Sequence, residues 1–439
     1  MSSEHTQPVK AEVAYDTNTP PSPPPSDPES AQPADDKTQH SLPDFPDGGR
    51  DAWLVAAGAT CILFCTFGYS NTFGVFQAYY MFNQLPGLPA DSIAWIGSIQ
   101  AFLVFATSAV GGPLFDRYGA WIIRPAAVAY VFSLMMTSLC REYWQFMLAQ
   151  GVLAGLSAGL TLSPALAAVP QWFNRKRGAA MGLTVAGSSL GGIIFPIMLS
   201  RLLLTTNIGF GWSVRITAFL MIPLLAFAAF AVRARLPPRD TNFFLASPFR
   251  QPMFLLLVGA LFFALVGMYI PLFLLPTYAI TRGMGESLSS YLVAIVNAAS
   301  FFGRIIPGVL GDRLGRINTL AAATVSTAIL AFCWPLAESS AGVIVYAAFF
   351  GFCSGAIVSG GSVAMTLCAD KPSNIGTYMG VGISLASLSA LVGPPVSGAL
   401  VEDYGFKEVS YFGGVAGLVG SGLAVAAKWA SPAGLFGRT

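Results

Sequence analysis

The chain has 439 residues, of which 54% are hydrophobic and only 10% are charged, and its formal net charge is +2. Soluble domains carry about 25% charged residues, so a water-soluble protein of this composition would have too little polar surface to cover its core. The nearly balanced charge shows no excess of basic residues of the kind that binds nucleic acid, and we expect no nucleic-acid partner. The composition predicts an integral membrane protein, with the lipid bilayer as its surroundings.

Residues 1–49 are rich in proline, serine, aspartate and threonine, and predict a disordered cytosolic tail. They do not read as a secretory signal peptide, which has a basic start followed by an apolar stretch. Both histidines, His5 and His40, lie in this tail. The six cysteines lie in or beside apolar stretches and are interpreted as buried small residues. We therefore predict no metal site and no cofactor.

Twelve apolar stretches follow, and each is long enough to cross a bilayer, which requires about 20 residues. The first six are Trp53–Phe82, Ser92–Phe115, Ile122–Cys140, Gln145–Ala168, Gly178–Leu204 and Val214–Val232. The second six are Met253–Ile280, Leu288–Leu310, Ile317–Ala337, Gly342–Leu367, Ile375–Leu400 and Val409–Ala427. The sequence thus predicts an all-α integral membrane protein with two six-helix bundles, 50–232 and 252–430. A cytosolic linker, 233–251, joins them, and 431–439 form a short cytosolic tail.

One short motif, G-x-L-x-D-R-x-G, occurs twice at an offset of 196 residues (312 − 116). Residues 112–119 read GPLFDRYG, and residues 308–315 read GVLGDRLG. Met181-Gly182 and Met379-Gly380 recur at an offset of 198 residues, so the two halves are interpreted as related repeats. An Asp-Arg pair between two spans predicts a tight loop at a membrane face, where both side chains can bridge to the end of a neighbouring helix.

We predict that these two loops gate the protein. The pairs would hold the loops together in one state and release them in the other. Static anchoring of the loops is the alternative. The predicted gating residues are Asp116, Arg117, Gly119, Asp312, Arg313 and Gly315.

Basic residues predict the orientation in the membrane. Twelve arginines and lysines lie in the linker and in loops on one side, whereas five lie on the other side beside seven acidic residues. The positive-inside rule places the first side, the linker and both termini in the cytosol. We expect the plasma membrane as the location.

Arg304 is the clearest ionised residue deep within a predicted span, where a charge costs about 2.5 kcal/mol or more. Asn297, Ser300 and Arg304 share one helix face. We predict that this stripe lines a central path and that Arg304 pairs with a substrate carboxylate or another acceptor. A structural arginine, bonded to helix carbonyls near the cytosolic gate, is the alternative.

The first and seventh spans add further predicted path residues. Asn71 lies in mid-span with Tyr69 and Gln77 on a polar face, and an interhelical hydrogen bond is the alternative for Asn71. Tyr269 and Tyr278 are candidates for an aromatic wall, with interface anchoring as the alternative. Because no acid or histidine lies deep in a span, we predict weak or absent proton coupling through side chains.

The doubled D-R-x-G motif resembles the cytoplasmic loop motif of the major facilitator superfamily. Residues 47–53 (DGGRDAW), 71–77 (NTFGVFQ) and 172–178 (WFNRKRG) resemble its monocarboxylate-transporter-like members, especially fungal ones. This resemblance implies the major facilitator fold and a monomeric secondary transporter that works by alternating access. Members that move lactate with protons carry a lysine near Asn71 and an aspartate where Ser300 stands, so this chain departs from their pattern.

The predicted substrate is a small organic solute, either a monocarboxylate-like anion or an aromatic metabolite. One alternative is the efflux of a fungal secondary metabolite. An alternative of another class is a non-transporting membrane nutrient sensor, although such sensors often carry a long cytosolic extension. We do not expect an enzyme, because the sequence shows no nucleophile–base pair, metal cluster or phosphate loop.

Overall fold

The computed structural model describes residues 45–88, 90–204, 206–237, 245–431 and 434. Most of the two predicted tails and the middle of the predicted linker lie outside these ranges. Within them, every regular element is helical, which confirms the predicted all-α class.

Eleven helical stretches of the described chain are long and apolar enough to cross a membrane. One of them, Ser92–Thr137, has 46 residues, about twice the length that a bilayer requires, and it turns at Gly119 into two crossings. The helices of the first half are α1 (Gly49–Gln77), α2 (Ala90–Ala106 and Ser108–Tyr118), α3 (Ile123–Thr137), α4 (Tyr143–Trp172), α5 (Arg177–Leu204) and α6 (Gly209–Ala231). Those of the second half are α7 (Pro252–Thr281), α8 (Glu286–Leu314), α9 (Arg316–Cys333), α10 (Ser340–Thr366), α11 (Ile375–Ala386 and Leu388–Tyr404) and α12 (Phe406–Trp429).

The outer surface of these helices is apolar. On α3, Val128 is 70% exposed and Phe132 is 52% exposed, and on α6, Phe219 is 52% exposed. Large apolar side chains that face outward along whole helices fit hydrocarbon surroundings and would associate in water. The protein is therefore a multi-pass membrane protein.

The repeated Asp-Arg pairs lie in the last turns of helices rather than in loops. α2 continues to Tyr118 and α8 continues to Leu314. The following glycines, Gly119 (φ 73°) and Gly315 (φ 99°), have left-handed backbone and end the helices. The predicted loop is thus a sharp glycine turn, and each aspartate lies near the end of a helix.

Small residues allow close packing within each half. A Cβ atom on Gly159 of α4 would lie 2.5 Å from the carbonyl oxygen of Val104 on α2. A Cβ atom on Gly303 of α8 would lie 2.0 Å from the carbonyl oxygen of Phe352 on α10. Helices in lipid associate through such close van der Waals contact, because the surrounding acyl chains are as apolar as the side chains.

Two helix pairs, α2 with α11 and α5 with α8, join the two halves. A Cβ atom on Gly112 of α2 would lie 2.0 Å from the carbonyl oxygen of Gly376 on α11, and one on Gly178 of α5 would lie 2.2 Å from that of Gly308 on α8. These two contacts occupy equivalent positions in the two sequence repeats. We call this end of the molecule, which carries the Asp-Arg turns, the basic end, and its cytosolic placement stays a prediction.

Gly303→Ala should destabilise the protein, because the added methyl group meets the α10 backbone and the two helices must move apart. Overpacking of this kind costs about 1–3 kcal/mol. The measurement is the Tm of the detergent-solubilised protein, with Gly398→Ala on α11 as the matched control. A Cβ atom at Gly398 meets nothing within 4 Å. Equal Tm values for the two variants would contradict close α8–α10 packing.

Candidate functional site

Asp116 of α2 binds the first turn of α11. Its carboxylate accepts hydrogen bonds from the backbone N–H groups of Gly376 (3.0 Å) and Thr377 (2.6 Å) and from the Thr377 hydroxyl (2.6 Å). Only 4% of Asp116 is exposed. The first turn of a helix has unpaired N–H groups and the positive end of the dipole, so it stabilises a buried carboxylate. An acid of the first half thereby caps a helix of the second half.

Asp312 of α8 forms the equivalent cap on α5. Its carboxylate accepts hydrogen bonds from the backbone N–H groups of Gly178 (2.8 Å) and Ala179 (3.0 Å). Arg316 forms an ion pair with the same carboxylate at 3.4 Å. Each half therefore supplies one aspartate and one helix N-terminus to the contact between the halves. A gating role for these caps stays a prediction.

The arginines of the repeated motif lie outside the two caps. Arg117 and Arg313 are both exposed, and the Arg117 guanidinium lies 5.7 Å from the centre of the Tyr118 ring. Arg316, three positions beyond Arg313, is the arginine that contacts Asp312. The halves are thus joined through helix ends rather than through Asp-Arg pairs within the motif.

Arg304 lies in the contact between α8 and α5. Its Nη1 donates hydrogen bonds to the carbonyl oxygen of Val185 (2.9 Å) and to the hydroxyl of Ser188. Arg304 is 5% exposed, and both of these partners are neutral. This geometry matches the alternative in which the arginine is bonded to helix carbonyls. Pairing with a substrate stays a prediction.

Asn71 and Asn297 converge on one point of α5, although they belong to different halves. A Cβ atom on Gly192 would lie 3.0 Å from Nδ2 of Asn71 and 2.9 Å from Oδ1 of Asn297. Ser300 turns toward α10, where its Oγ would lie 2.7 Å from a Cβ atom on Gly355. The predicted polar stripe of α8 is therefore divided between two neighbouring helices.

The remaining predicted path residues occupy separate places. Tyr69 is buried in the first half with its ring centre 5.8 Å from that of Phe195, and Gln77 is half-buried at the far end of α1. Tyr278 is buried in the second half, and its hydroxyl donates a hydrogen bond to the carbonyl oxygen of Ala337 (3.1 Å). The path roles of Tyr69, Gln77 and Tyr278 stay predictions.

A cavity of about 80 Å³ lies between the two halves, lined by side chains that are all uncharged. The first half contributes Phe67 and Phe105, whose ring centres are 5.1 Å apart with the planes at 79°. The second half contributes three hydroxyl side chains, Tyr269, Ser362 and Ser387. Pockets that enclose a ligand usually measure about 300–1,000 Å³. In this structure the cavity is therefore smaller than a typical ligand pocket.

Sequence analysis missed the residues that receive the caps and most of those that line the cavity. The receiving glycines, Gly178 and Gly376, are 198 residues apart, the same offset as the Met-Gly pairs, so the repeat contained a signal for them. Phe67 and Phe105 had no comparable signal. An aromatic residue in an apolar helix can face lipid, core or cavity until the rotation of the helix is known.

A family model described as Major Facilitator Superfamily matches residues 58–350 and 305–435. Aspyridones efflux protein apdF from Emericella nidulans is 48% identical over 391 residues, covering 89% of this chain and 80% of that protein. Agnestins efflux protein AgnL12 from Paecilomyces divaricatus is 38% identical over 393 residues (88% and 89%). Fujikurins efflux protein from Gibberella fujikuroi is 39% identical over 391 residues (87% and 83%).

Two solved transporters share the fold. The human organic anion transporter MFSD10 gives a TM-score of 0.68 at 16% identity, covering 85% of this chain and 98% of that chain. FucP, solved in the outward conformation, gives a TM-score of 0.68 at 14% identity (86% and 99%). At these identities the likeness concerns the fold, and it confirms the predicted arrangement of helices.

Asp116→Asn should loosen the α2–α11 contact at the basic end. The substitution removes the negative charge and turns one acceptor oxygen into a donor that faces N–H groups. Hydrogen bonds to charged groups contribute about 1.5–3 kcal/mol each. The measurement is the labelling rate of a single cysteine, Ser387→Cys in an otherwise cysteine-free chain, by a membrane-impermeant maleimide added at the basic end. A rise of about tenfold corresponds to 1.4 kcal/mol.

Asp51→Asn is the control for this measurement, because Asp51 is an exposed acid on α1 at the same end. We expect it to leave the labelling rate unchanged, and we expect Asp312→Asn to act in the same direction as Asp116→Asn. A folded Asp116→Asn protein with the wild-type labelling rate would contradict a closing role for the cap.

Proposed function

Because this chain belongs to the major facilitator superfamily, and is thus a membrane transporter of a small organic solute, we propose that it exports a largely uncharged, aromatic metabolite. The proposed location is the plasma membrane, with the basic end and both termini in the cytosol. The observation that carries the substrate class is the cavity between the halves, whose lining side chains are all uncharged. The arginines at the basic end support its cytosolic placement.

An uncharged cavity favours an uncharged solute. Burying a carboxylate without a partner of opposite charge costs several kcal/mol. Arg304, the cation expected to meet such a carboxylate, already donates to Val185 and Ser188 of α5. This arrangement supports the aromatic metabolite over the monocarboxylate-like anion.

The two sides of the cavity offer different contacts to an aromatic solute. Phe67 and Phe105 form an edge-to-face pair, and a third ring beside them gains about 0.5–1.5 kcal/mol beyond the area that it buries. Hydroxyl groups of Tyr269, Ser362 and Ser387 lie on the opposite half. The two serine hydroxyls already donate to carbonyl oxygens of their own helices (3.0 Å and 2.7 Å), so their oxygens can accept a hydrogen bond from a phenol O–H of the solute, whereas the Tyr269 hydroxyl can donate to a carbonyl oxygen of the solute. We therefore propose that the first half packs against the aromatic ring of the solute and that the second half forms hydrogen bonds with the polar substituents of the ring.

The outward direction rests on the relatives. Three proteins that are 38–48% identical to this chain are named as efflux proteins for aspyridones, agnestins and fujikurins. We propose that this chain likewise exports a fungal secondary metabolite. The metabolite itself need not be any of theirs, because small changes in a cavity alter the choice of solute.

The proposed cycle uses the two helix caps as its gate. With Asp116 and Asp312 bound to α11 and α5, a solute in the cavity cannot return through the basic end. When both caps break, water reaches the carboxylates and the N–H groups, and the two halves tilt apart around the cavity. The solute then enters from the basic end. Re-formation of the caps prevents its return, so the solute leaves on the other side of the membrane.

The experiment compares metabolites in cells and medium, by untargeted mass spectrometry, with and without the gene. We expect an aromatic, uncharged compound to accumulate in the cells when the gene is deleted. Restoring the gene with Phe67→Ala and Phe105→Ala should leave export about tenfold below wild type, a loss of 1.4 kcal/mol that is typical of a removed aromatic contact. Phe302→Ala on α8 is the control, because this side chain is 57% exposed on the outer surface. An accumulating compound that is an aliphatic carboxylate would overturn the substrate class.

Export should respond weakly to an imposed proton gradient. Neither an acid nor a histidine is among the side chains that line the cavity, so solute binding has no titrating group to exchange a proton with. The measurement is efflux from preloaded proteoliposomes at equal pH and with a pH step of either sign. A rate that follows the size of the pH step would contradict this expectation.

A further inference from the structure

Two arginines meet at the last turn of α6. The Nε of Arg124 on α3 donates a hydrogen bond to the carbonyl oxygen of Ala229 (3.5 Å), and the Nε of Arg233 donates one to that of Phe230 (3.2 Å). The final carbonyls of a helix lack intrahelical partners and carry the negative end of the dipole, so they hold cations there. Each guanidinium has further N–H groups beyond Nε, and both side chains are exposed.

The α2–α3 turn brings a third arginine to the same corner of the basic end. A Cβ atom on Gly119 would lie 3.6 Å from the Cβ of Ala234, so the turn packs against the chain that follows α6. Arg117 precedes Gly119 by two positions and is exposed. We call Arg117, Arg124 and Arg233 the arginine corner.

Large exposed aromatic residues accompany the arginine corner. Phe230 is 66% exposed and Trp121 is 63% exposed. The guanidinium carbon of Arg124 lies 5.4 Å from the centre of the Phe230 ring. Aromatic side chains and arginines together mark the level of the lipid headgroups at the ends of membrane helices. The residue types of the corner therefore fit the boundary between acyl chains and headgroups.

The arginine corner has no ion pair to an acidic residue in the ranges that the structure covers. Asp116, the neighbour of Arg117 in the sequence, is bound to the first turn of α11. Within the ranges that the structure covers, the three arginines thus form no ion pair that would compete with an external anion.

We propose that the arginine corner binds the phosphate of an anionic phospholipid in the leaflet at the basic end. A guanidinium group can donate two parallel hydrogen bonds to two oxygens of one phosphate, and two guanidinium groups at one helix end can hold one headgroup. The acyl chains would run along the apolar outer face of α3, where Val128 and Phe132 are exposed. A free phosphate ion would leave Trp121 and Phe230 without a partner, so a lipid is the occupant that the surface fits.

The test uses the purified full-length chain in neutral detergent, titrated with phosphatidylserine or phosphatidylinositol, and with phosphatidylcholine as the neutral lipid. We expect the anionic lipids to raise the Tm of the wild-type protein well above the rise with phosphatidylcholine. R124Q/R233Q should bind anionic lipid at least tenfold more weakly and lose most of that rise. R141Q/R201Q is the matched control, because it removes two exposed arginines from the opposite end.

Equal responses of wild type and R124Q/R233Q to anionic lipid would overturn the proposal. An equal rise with phosphatidylcholine would also overturn it, and a full rise with inorganic phosphate alone would overturn the lipid as the occupant. If R124Q/R233Q does not fold, R124Q and R233Q are measured singly, and each is expected to lose part of the rise. Single variants with the wild-type response would count against the site.

Discussion

A carboxylate on one half of the molecule, held by a helix N-terminus of the other half, is the interaction on which the structure depends. Asp116 and Asp312 accept hydrogen bonds from first-turn N–H groups of α11 and α5, and Asp312 also forms an ion pair with Arg316. Away from water, a bare carboxylate or an unpaired N–H group costs several kcal/mol. The complete caps therefore satisfy both the carboxylates and the N–H groups, and breaking them without water would leave these groups unpaired.

The glycines make this contact possible. Gly112 and Gly376, like Gly178 and Gly308, let two helix backbones approach until no Cβ atom fits between them. The aspartates reach the opposing helix ends only at this separation. The glycine turns at 119 and 315 end the helices three residues after the aspartates, so each acid lies in the last turn of its helix. Close backbone packing and the charged helix caps thus occur at the same end of the contact between the halves.

Charge and apolar surface are kept apart along the molecule. The ionised groups that join the halves lie at the basic end, whereas the cavity between the halves is lined by aromatic, aliphatic and hydroxyl side chains. Arg304 lies between these regions and is held by neutral atoms of α5. Under the proposed cycle, the caps supply the contacts that break and re-form as the halves open and close. The cavity is left to recognise the solute through shape, rings and a few hydroxyl groups.

The sequence by itself determined the membrane class, the number of spans and the relation between the two halves. These follow from the length of apolar stretches and from a motif that repeats at a fixed offset, and both are properties of the chain alone. The position of the repeated aspartates between two spans also predicted that they can bridge to the end of a neighbouring helix. What the sequence left open was which helix would receive them.

Only the tertiary structure decided which way each helix faces. Tyr269 lines the cavity and Tyr278 is bonded to a loop carbonyl, although both lie on α7. Ser300 and Asn297 are three residues apart, yet they face different helices. In lipid, the outward and inward faces of a helix are both apolar, so the contrast that orients a helix in a soluble protein is weak. The rotation of each helix is set by packing against its neighbours, through small residues whose partners lie far away in the sequence, as Gly159 and Val104 or Gly112 and Gly376 do.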